Sequence, residues 1–120
     1  MITAIDLEDT IETIDEPWSP VDVVQVNDQV VRMALFQGVY HWHRHTNEDE
    51  LFYVYSGRIV IHMKGYPDVA LQAGQLAVVP KNVEHRPRSL EPSYVLMFEP
   101  SALQSRGDRE DMNDHRTRDR

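Results

Sequence analysis

The feature that most constrains the fold is a series of short runs, rich in Val, Ile, Tyr and Phe, that fills the middle of the chain. Such residues favour strands, and turn residues separate the runs at intervals typical of all-β domains. No segment between the runs is long enough for the crossover helix that a parallel sheet requires. The sequence therefore predicts an all-β domain of about eight strands, arranged as a sandwich or a barrel. The predicted strands are 22–26, 29–36, 39–45, 50–56, 58–64, 68–73, 75–80 and 93–99.

The two ends of the chain differ from this middle part. In the first sixteen residues, Leu7, Ile11 and Ile14 are spaced by four and three, which predicts a short amphipathic helix with Thr3 or Asp6 as its N-cap. The last twenty residues are polar and contain five arginines and five acids, which is typical of a flexible tail. The predicted organisation is an acidic arm or short helix at 1–20, a β domain at 21–100 and a polar tail at 101–120.

Composition excludes several classes of function. The net charge of −8 comes mainly from the first sixteen residues, which hold six acids and no base, so the β domain is close to neutral and has no basic cluster for nucleic acid. No window is apolar enough to span a membrane, and the first residues do not resemble a secretory signal, so we expect a cytoplasmic protein. Because the chain contains no cysteine, imidazole and carboxylate groups must hold any metal.

Residues 41–52, HWHRHTNEDELF, contain the first candidate ligands. If the chain is extended here, side chains alternate, and His41, His43 and His45 share one face. Imidazoles at positions i and i+2 of a strand can converge on one ion. Glu50, which opens the next predicted strand after a polar turn, is placed to supply a third ligand.

A fourth candidate ligand, His85, follows a strand and a turn. In this turn Pro80 fixes its own φ, and the short amide of Asn82 tolerates a left-handed conformation. Three imidazoles and one carboxylate without sulfur suit Fe, Mn, Co, Ni, Cu or Zn, so the predicted cofactor is one divalent transition metal. Four protein ligands on a six-coordinate ion leave two positions for water, substrate or dioxygen, as in a working site.

These residues resemble the two sequence motifs of small single-domain cupins, over roughly residues 25–100. The resemblance implies a conical antiparallel jelly-roll barrel of two facing sheets with the metal between them. Three positions depart from the family pattern: Gly38 lies one residue too close to His43, Asn82 replaces a glycine and Ser89 replaces an asparagine. No departure removes a ligand. The matching residues are Gly38, His43, His45, Glu50 and Gly57 in the first motif, and Gly74, Pro80 and His85 in the second.

The resemblance does not fix a reaction, because cupins include dioxygenases, isomerases, epimerases, lyases, seed-storage proteins and sugar-binding regulators. Strand alternation places Arg44, Arg86 and Arg88 outside the pocket and leaves the facing of Arg32 and Lys64 undetermined. Because a phosphosugar isomerase needs several cations inside its pocket, this disfavours such an enzyme. The same alternation points Phe52 and Val54 inward as an apolar wall for a small organic ligand. We expect a metalloenzyme of the dioxygenase or the isomerase and lyase type. The alternative is a non-catalytic module that binds or senses a ligand through its metal.

The role of His41 stays open between a general base, a substrate contact, a substitute ligand and a histidine at the rim. His62 and His115 are interpreted as surface residues.

Four aromatic residues fall on the face opposite to the ligands. An apolar patch of this size is seldom left bare on a monomer, which predicts a homodimer. The N-terminal segment, with Ile2, Ile5, Leu7 and Trp18, could instead cover some of these rings. The four aromatic residues are Tyr40, Trp42, Tyr53 and Tyr55.

Overall fold

The structure, a computed structural model, describes residues 2–103 and Gly107. In this part of the chain one short helix precedes seven strands, and every paired strand is antiparallel, which confirms the predicted all-β class. No helix within it is long and apolar enough to cross a membrane. The elements are α1 (Leu7–Glu12), β1 (Val21–Val26), β2 (Gln29–Val39), β3 (Glu50–Ser56), β4 (Arg58–Met63), β5 (Tyr66–Gln72), β6 (Leu76–Val79) and β7 (His85–Pro100).

The long strand β7 organises the jelly roll. The main path of the sheet is β1-β2-β7-β3-β6, and β4 joins β7 with β5 on its far side. The first residues of β7 pair with β4, whereas its second half pairs with both β2 and β3. One strand therefore belongs to two layers, and the core lies between them. The antiparallel jelly roll is confirmed, although the described strands do not close into a continuous barrel.

The predicted strand 39–45 is wrong. Strand β2 already includes Val39, and residues 40–45 follow an irregular path. It is joined to β7 by a hydrogen bond from the N–H of Tyr40 to the carbonyl of Pro87 at 3.0 Å and by a bridge between His43 and His85. Gly38, which separates the predicted strands 29–36 and 39–45, lies inside β2 at a shift of register, with a φ of +88°. The irregularity ends the strict alternation of side chains just before the candidate ligands.

The amphipathic N-terminal helix is confirmed. It begins after Asp6, whose carboxylate accepts a hydrogen bond from the backbone N–H of Glu8 at 3.0 Å. The helix and the residues after it cover part of the outer face of the sheet, and Ile14 is buried against Met33 and Leu35 of β2. The N-terminal segment therefore covers part of this face, including Tyr55, although Ile2 and Ile5 stay exposed.

The first residues of the predicted tail are docked on the sheet. Arg32 donates hydrogen bonds to the carbonyl oxygens of Ser101 and Leu103, both at 3.0 Å, and the Leu103 side chain is buried. Residues 104–106 and 108–120, which include His115, lie outside the described residues.

Candidate metal centre

The four predicted ligands meet inside the jelly roll. One nitrogen or carboxylate oxygen from each of His43, His45, Glu50 and His85 lies within 4.8 Å of every other, and all four residues are buried. Oε1 of Glu50 lies 3.1 Å from Nε2 of His45 and 3.7 Å from Nε2 of His85, so these donor atoms face one common space.

Backbone hydrogen bonds bring the distant ligands together. The N–H of His43 donates to the carbonyl of His85 at 2.9 Å, and the reverse bond measures 2.8 Å. Asn82 adopts the predicted left-handed conformation, with a φ of +67°, and its N–H donates to the carbonyl of His45 at 2.6 Å. The side chain of Asp49 accepts from the N–H of Lys81 at 2.8 Å. The turn before β7 is thereby fixed to the segment that leads into β3.

Hydrogen bonds to the backbone orient two of the imidazoles. Nδ1 of His43 lies 3.0 Å from the carbonyl oxygen of His41, and Nδ1 of His85 lies 2.9 Å from that of Val83. In the neutral imidazole each Nδ1 then carries the hydrogen, which leaves the lone pair on Nε2. Nε2 of His45 lies 3.1 Å from Oε1 of Glu50. The carbonyl oxygens of His41 and Val83 hold Nδ1 of His43 and His85, as outer partners typically hold the second nitrogen of histidine ligands.

The charges of the site suit a cation. Burial, together with the nearby His85, lowers the pKa of His43 to about 3, so its imidazole is neutral at neutral pH. Burial alone would raise the pKa of Glu50, but the hydrogen bond with His45 and the nearby ring of His85 outweigh it and hold this pKa well below its usual range. Among the described residues, Nε2 of His85 is buried without a hydrogen-bond partner. Three imidazole donors, one carboxylate and an unpartnered buried nitrogen fit a divalent transition metal.

A second buried group behind Glu50 was missed in the sequence. Nη1 of Arg32 donates to Oε2 of Glu99 at 2.7 Å, and Nε of Arg32 donates to Asp22 at 2.9 Å. Burial and a hydrogen bond with Glu50 raise the pKa of Glu99 to about 9, so it is a neutral acid beside the charged ligand. Strand alternation could have found this group, because Glu99 is in phase with the buried Val95 and Met97.

Next to the ligands lies a cavity with about 330 Å³ of empty space, part of it open to solvent. Phe52 contributes to its wall as the sequence suggested, whereas Val54 is packed in the core and does not line it. Tyr40 was predicted to point outward, and this was wrong because the irregular path of residues 40–45 turns its ring into the cavity. The lining residues are Trp18, Pro20, Ala34, Phe36, Tyr40, His43, Glu50, Phe52, Pro87 and Met97.

His41 does not join the four ligands or the described lining of the cavity. Its ring centroid lies 4.1 Å from that of Tyr40 and 5.3 Å from that of His43. The next residue, Trp42, has Lys64 and Arg86 near its ring, each with its charged group 4.8 Å from the ring centroid. These two cations therefore lie against an aromatic ring outside the cavity, as the alternation predicted for Arg86.

The C-terminal segment returns to the site at Gly107. A β-carbon at this position would lie 2.5 Å from Cβ of His43, and the φ of Gly107 is +99°. Only glycine meets both conditions without strain.

A family model supports the same architecture. The cupin domain model matches residues 30–99, more than half of the chain, and the match includes all four candidate ligands. The chain belongs to the cupin family. As in other cupins, the fold leaves the reaction open.

Two similar proteins have matches of substantial length. YdbB of Bacillus subtilis strain 168, an uncharacterised protein, is 38% identical over 76 residues, which span 63% of this cupin and 67% of YdbB. A cupin-2 domain protein of Shewanella frigidimarina NCIMB 400 has a solved structure that superposes with a TM-score of 0.78 at 32% identity. This match covers 81% of this chain and 94% of that protein.

A more distant solved structure is hydroquinone 1,2-dioxygenase PnpCD in complex with Cd²⁺ and 4-hydroxybenzonitrile. It is 16% identical, with a TM-score of 0.69, and the match covers 80% of this chain and 71% of that one. At this identity the likeness shows the fold alone.

Proposed function

We propose that this cupin binds one divalent transition metal through His43, His45, Glu50 and His85, and acts through it on a small organic molecule. The observation that carries the proposal is the convergence of these four buried side chains, with Nε2 of His85 left without a partner among the described residues. A structural site needs no cavity, whereas this one lies at the wall of an apolar cavity.

The residues around the cavity define what it can hold. Of its described lining residues, only His43, Glu50 and Tyr40 can exchange a proton, and none is a lysine or an arginine. A phosphorylated or multiply charged substrate would find no cation there besides the metal. The protein therefore binds a small neutral or singly charged molecule, orients it with its apolar wall and excludes water from it. When bound, the metal supplies Lewis acidity or a place for dioxygen.

We propose an enzyme of the dioxygenase or the isomerase and lyase type. The second candidate is a non-catalytic module that binds or senses its ligand through the metal. One observation favours this candidate: apart from two proposed ligands, Tyr40 is the single described lining residue that can act as an acid or base. An enzyme that moves protons normally places a dedicated group near the substrate. Oxygen consumption or product formation during a substrate screen separates the two.

The proposed function is tested with the wild-type protein loaded with Co²⁺, whose visible spectrum reports the ligands around the ion. We expect one Co²⁺ per chain and a spectrum that changes when azide is added, because open positions accept a small anion. His62→Ala is a matched control that should behave like the wild type. Absence of Co²⁺ binding, or a spectrum unaffected by azide, contradicts an open metal site.

We further propose that the protein is a homodimer, through a surface that differs from the one expected. Tyr40 lies in the cavity, Trp42 lies against two cations, and the hydroxyl of Tyr55 donates to Glu8 at 2.7 Å. The exposed apolar surface is instead a row across five strands of the outer face, which we call the outer row. Its members stand directly opposite one another in register: Val24, Val31, Phe98, Leu51 and Val78.

A second copy of the chain is the proposed occupant of the outer row. Val24, Phe98 and Val78 are 40%, 40% and 50% exposed, and the N-terminal helix covers the neighbouring Met33 rather than the row itself. The sequence after Leu103 has Met112 as its one large apolar residue, so it offers little to cover the row. Two copies related by a twofold axis would bury the same row against itself.

Sedimentation velocity tests the dimer. We expect a dimer at micromolar concentration and a monomer for Val78→Lys, with unchanged metal content, because a lysine in the interface cannot be desolvated without cost. Leu90→Lys, at a position that is 85% exposed and outside the row, should leave the dimer intact. A wild-type protein that is monomeric at every concentration contradicts the proposal.

A further inference from the structure

A wall of the cavity comes from outside the family-matched part of the chain. The cupin model begins at residue 30, yet Trp18 and Pro20 line the cavity together with the proposed ligands His43 and Glu50. The cavity is thus completed by a segment that lies N-terminal to the residues matched by the family model.

Trp18 is held firmly in this position. Its backbone N–H donates to the carbonyl of Leu35 at 2.8 Å, and its indole N–H donates to the carbonyl of Gln37 at 3.0 Å. Its φ of +62° is a left-handed conformation that is unusual for a bulky residue and costs free energy. The surrounding contacts must offset this cost, and strain of this kind is concentrated at functional positions.

The ring of Trp18 extends an aromatic wall. Its centroid lies 4.5 Å from that of Phe36 and 4.7 Å from that of Tyr40, with an angle of 24° between the planes of Trp18 and Tyr40. Phe36 in turn contacts Phe52 edge to face, with the centroids 6.2 Å apart. Four rings and the thioether of Met97 thus surround the space beside the ligands. Such surfaces favour flat molecules, because ring faces and edges stack with specific geometry.

The chemistry of the wall restricts the ligand further. Since no lysine or arginine is among the described lining residues, the wall offers no charge partner for an anion. One uncharged planar ring that bears an oxygen at the metal side meets this condition and matches the aromatic wall.

We propose that Trp18 determines ligand specificity by selecting a planar, uncharged, oxygen-bearing ring and holding it against the aromatic wall. This inference rests on the proposed function, because the oxygen of the ligand must face the metal held by His43, His45, Glu50 and His85. Trp18 contacts the ligand and takes no part in binding the metal.

The test uses the full chain loaded with Zn²⁺, which cannot oxidise the probe. The probe is catechol, and the matched non-planar compound is cyclohexane-1,2-diol, which carries the same pair of oxygens. Trp18 and Trp42 are the two tryptophans of the chain. In a Trp42→Phe background, the fluorescence of Trp18 alone reports binding at the wall. We expect quenching by catechol, and at least about tenfold weaker binding of cyclohexane-1,2-diol.

Two variants of Trp18 then separate the ring from the backbone. Trp18→Gly removes the ring and tolerates the positive φ, and calorimetry should show that its affinity for catechol falls by at least about tenfold. Trp18→Phe keeps an aromatic face and should retain affinity within about threefold. Zn²⁺ affinity should be unchanged in both variants, and this also shows that the barrel has folded.

The outcomes distinguish the two proposals. If the wild type binds no Zn²⁺, the proposed metal function fails. If Zn²⁺ binds but catechol binds no better than cyclohexane-1,2-diol, or Trp18→Gly retains full affinity for catechol, the specificity proposal alone is overturned.

Discussion

His85→Ala is expected to lower the affinity for Zn²⁺ or Co²⁺ by more than about 100-fold, because loss of an outer partner of a metal ligand already costs about 10- to 100-fold. Removing the imidazole also removes a nitrogen that is buried without a partner among the described residues. Metal-free His85→Ala should also lose stability, because the substitution leaves a cavity and removes the hydrogen bond of Nδ1 with Val83, so affinities are compared on folded protein. Competition titration against a chelator of known affinity measures the change.

The matched control is His62→Ala. His62 lies near the surface, where its ring nitrogens contact Asp68 at 3.1 Å and Arg88 at 3.2 Å. It belongs to no described cluster of metal-ligand type, so its removal should leave affinity unchanged. Equal affinities for the wild type and His85→Ala would exclude His85 as a ligand. A large loss in His62→Ala would show that the effect is not specific to the proposed centre.

Arg32→Met is expected to lower the free energy of unfolding by about 3 kcal/mol or more, because each buried acceptor that loses its hydrogen-bond donor costs about 1–3 kcal/mol. Arg32 is 6% exposed and Glu99 is 1% exposed. The variant leaves Glu99 without its guanidinium partner and also removes two hydrogen-bond donors from the carbonyls of Ser101 and Leu103. Urea denaturation of metal-free protein, which separates stability from metal binding, measures the loss.

Arg58→Met provides the comparison for Arg32. The pair of Arg58 with Glu91 spans 3.7 Å, and its side chains are 74% and 50% exposed, so its loss should cost less than about 1 kcal/mol. Arg32→Met/Glu99→Met removes both partners of this contact and should recover part of the stability, because no unpaired carboxyl group remains. An Arg32→Met protein as stable as the wild type would show that the network is not part of the folded core.

The sequence predicted the sheet and the convergence of the four candidate ligands for clear physical reasons. Periodic apolar runs encode strands locally, and the left-handed tolerance of Asn82 is a property of one side chain. Residues 43–45 do not form a regular strand, but the chain is extended enough there for both His43 and His45 to reach Glu50.

What the sequence did not predict depends on long-range packing. The register shift at Gly38 breaks the alternation that placed Tyr40 outside, and no local pattern reports such a shift. The last strand was predicted at 93–99, whereas β7 begins at His85 and includes Pro87. The contact of Trp18 with the cavity joins residues far apart in sequence, so neither spacing nor composition could reveal it.

Elemental analysis of the wild-type protein, purified without a histidine tag or added metal, tests the metal centre most directly. The four buried ligands predict close to one transition-metal ion per chain, either as isolated or after reconstitution. Iron would direct the search for a reaction to oxygen chemistry, and zinc, manganese or nickel would direct it to isomerisation, elimination or binding. A protein that retains no metal even after reconstitution would contradict the assignment of His43, His45, Glu50 and His85 as a metal site.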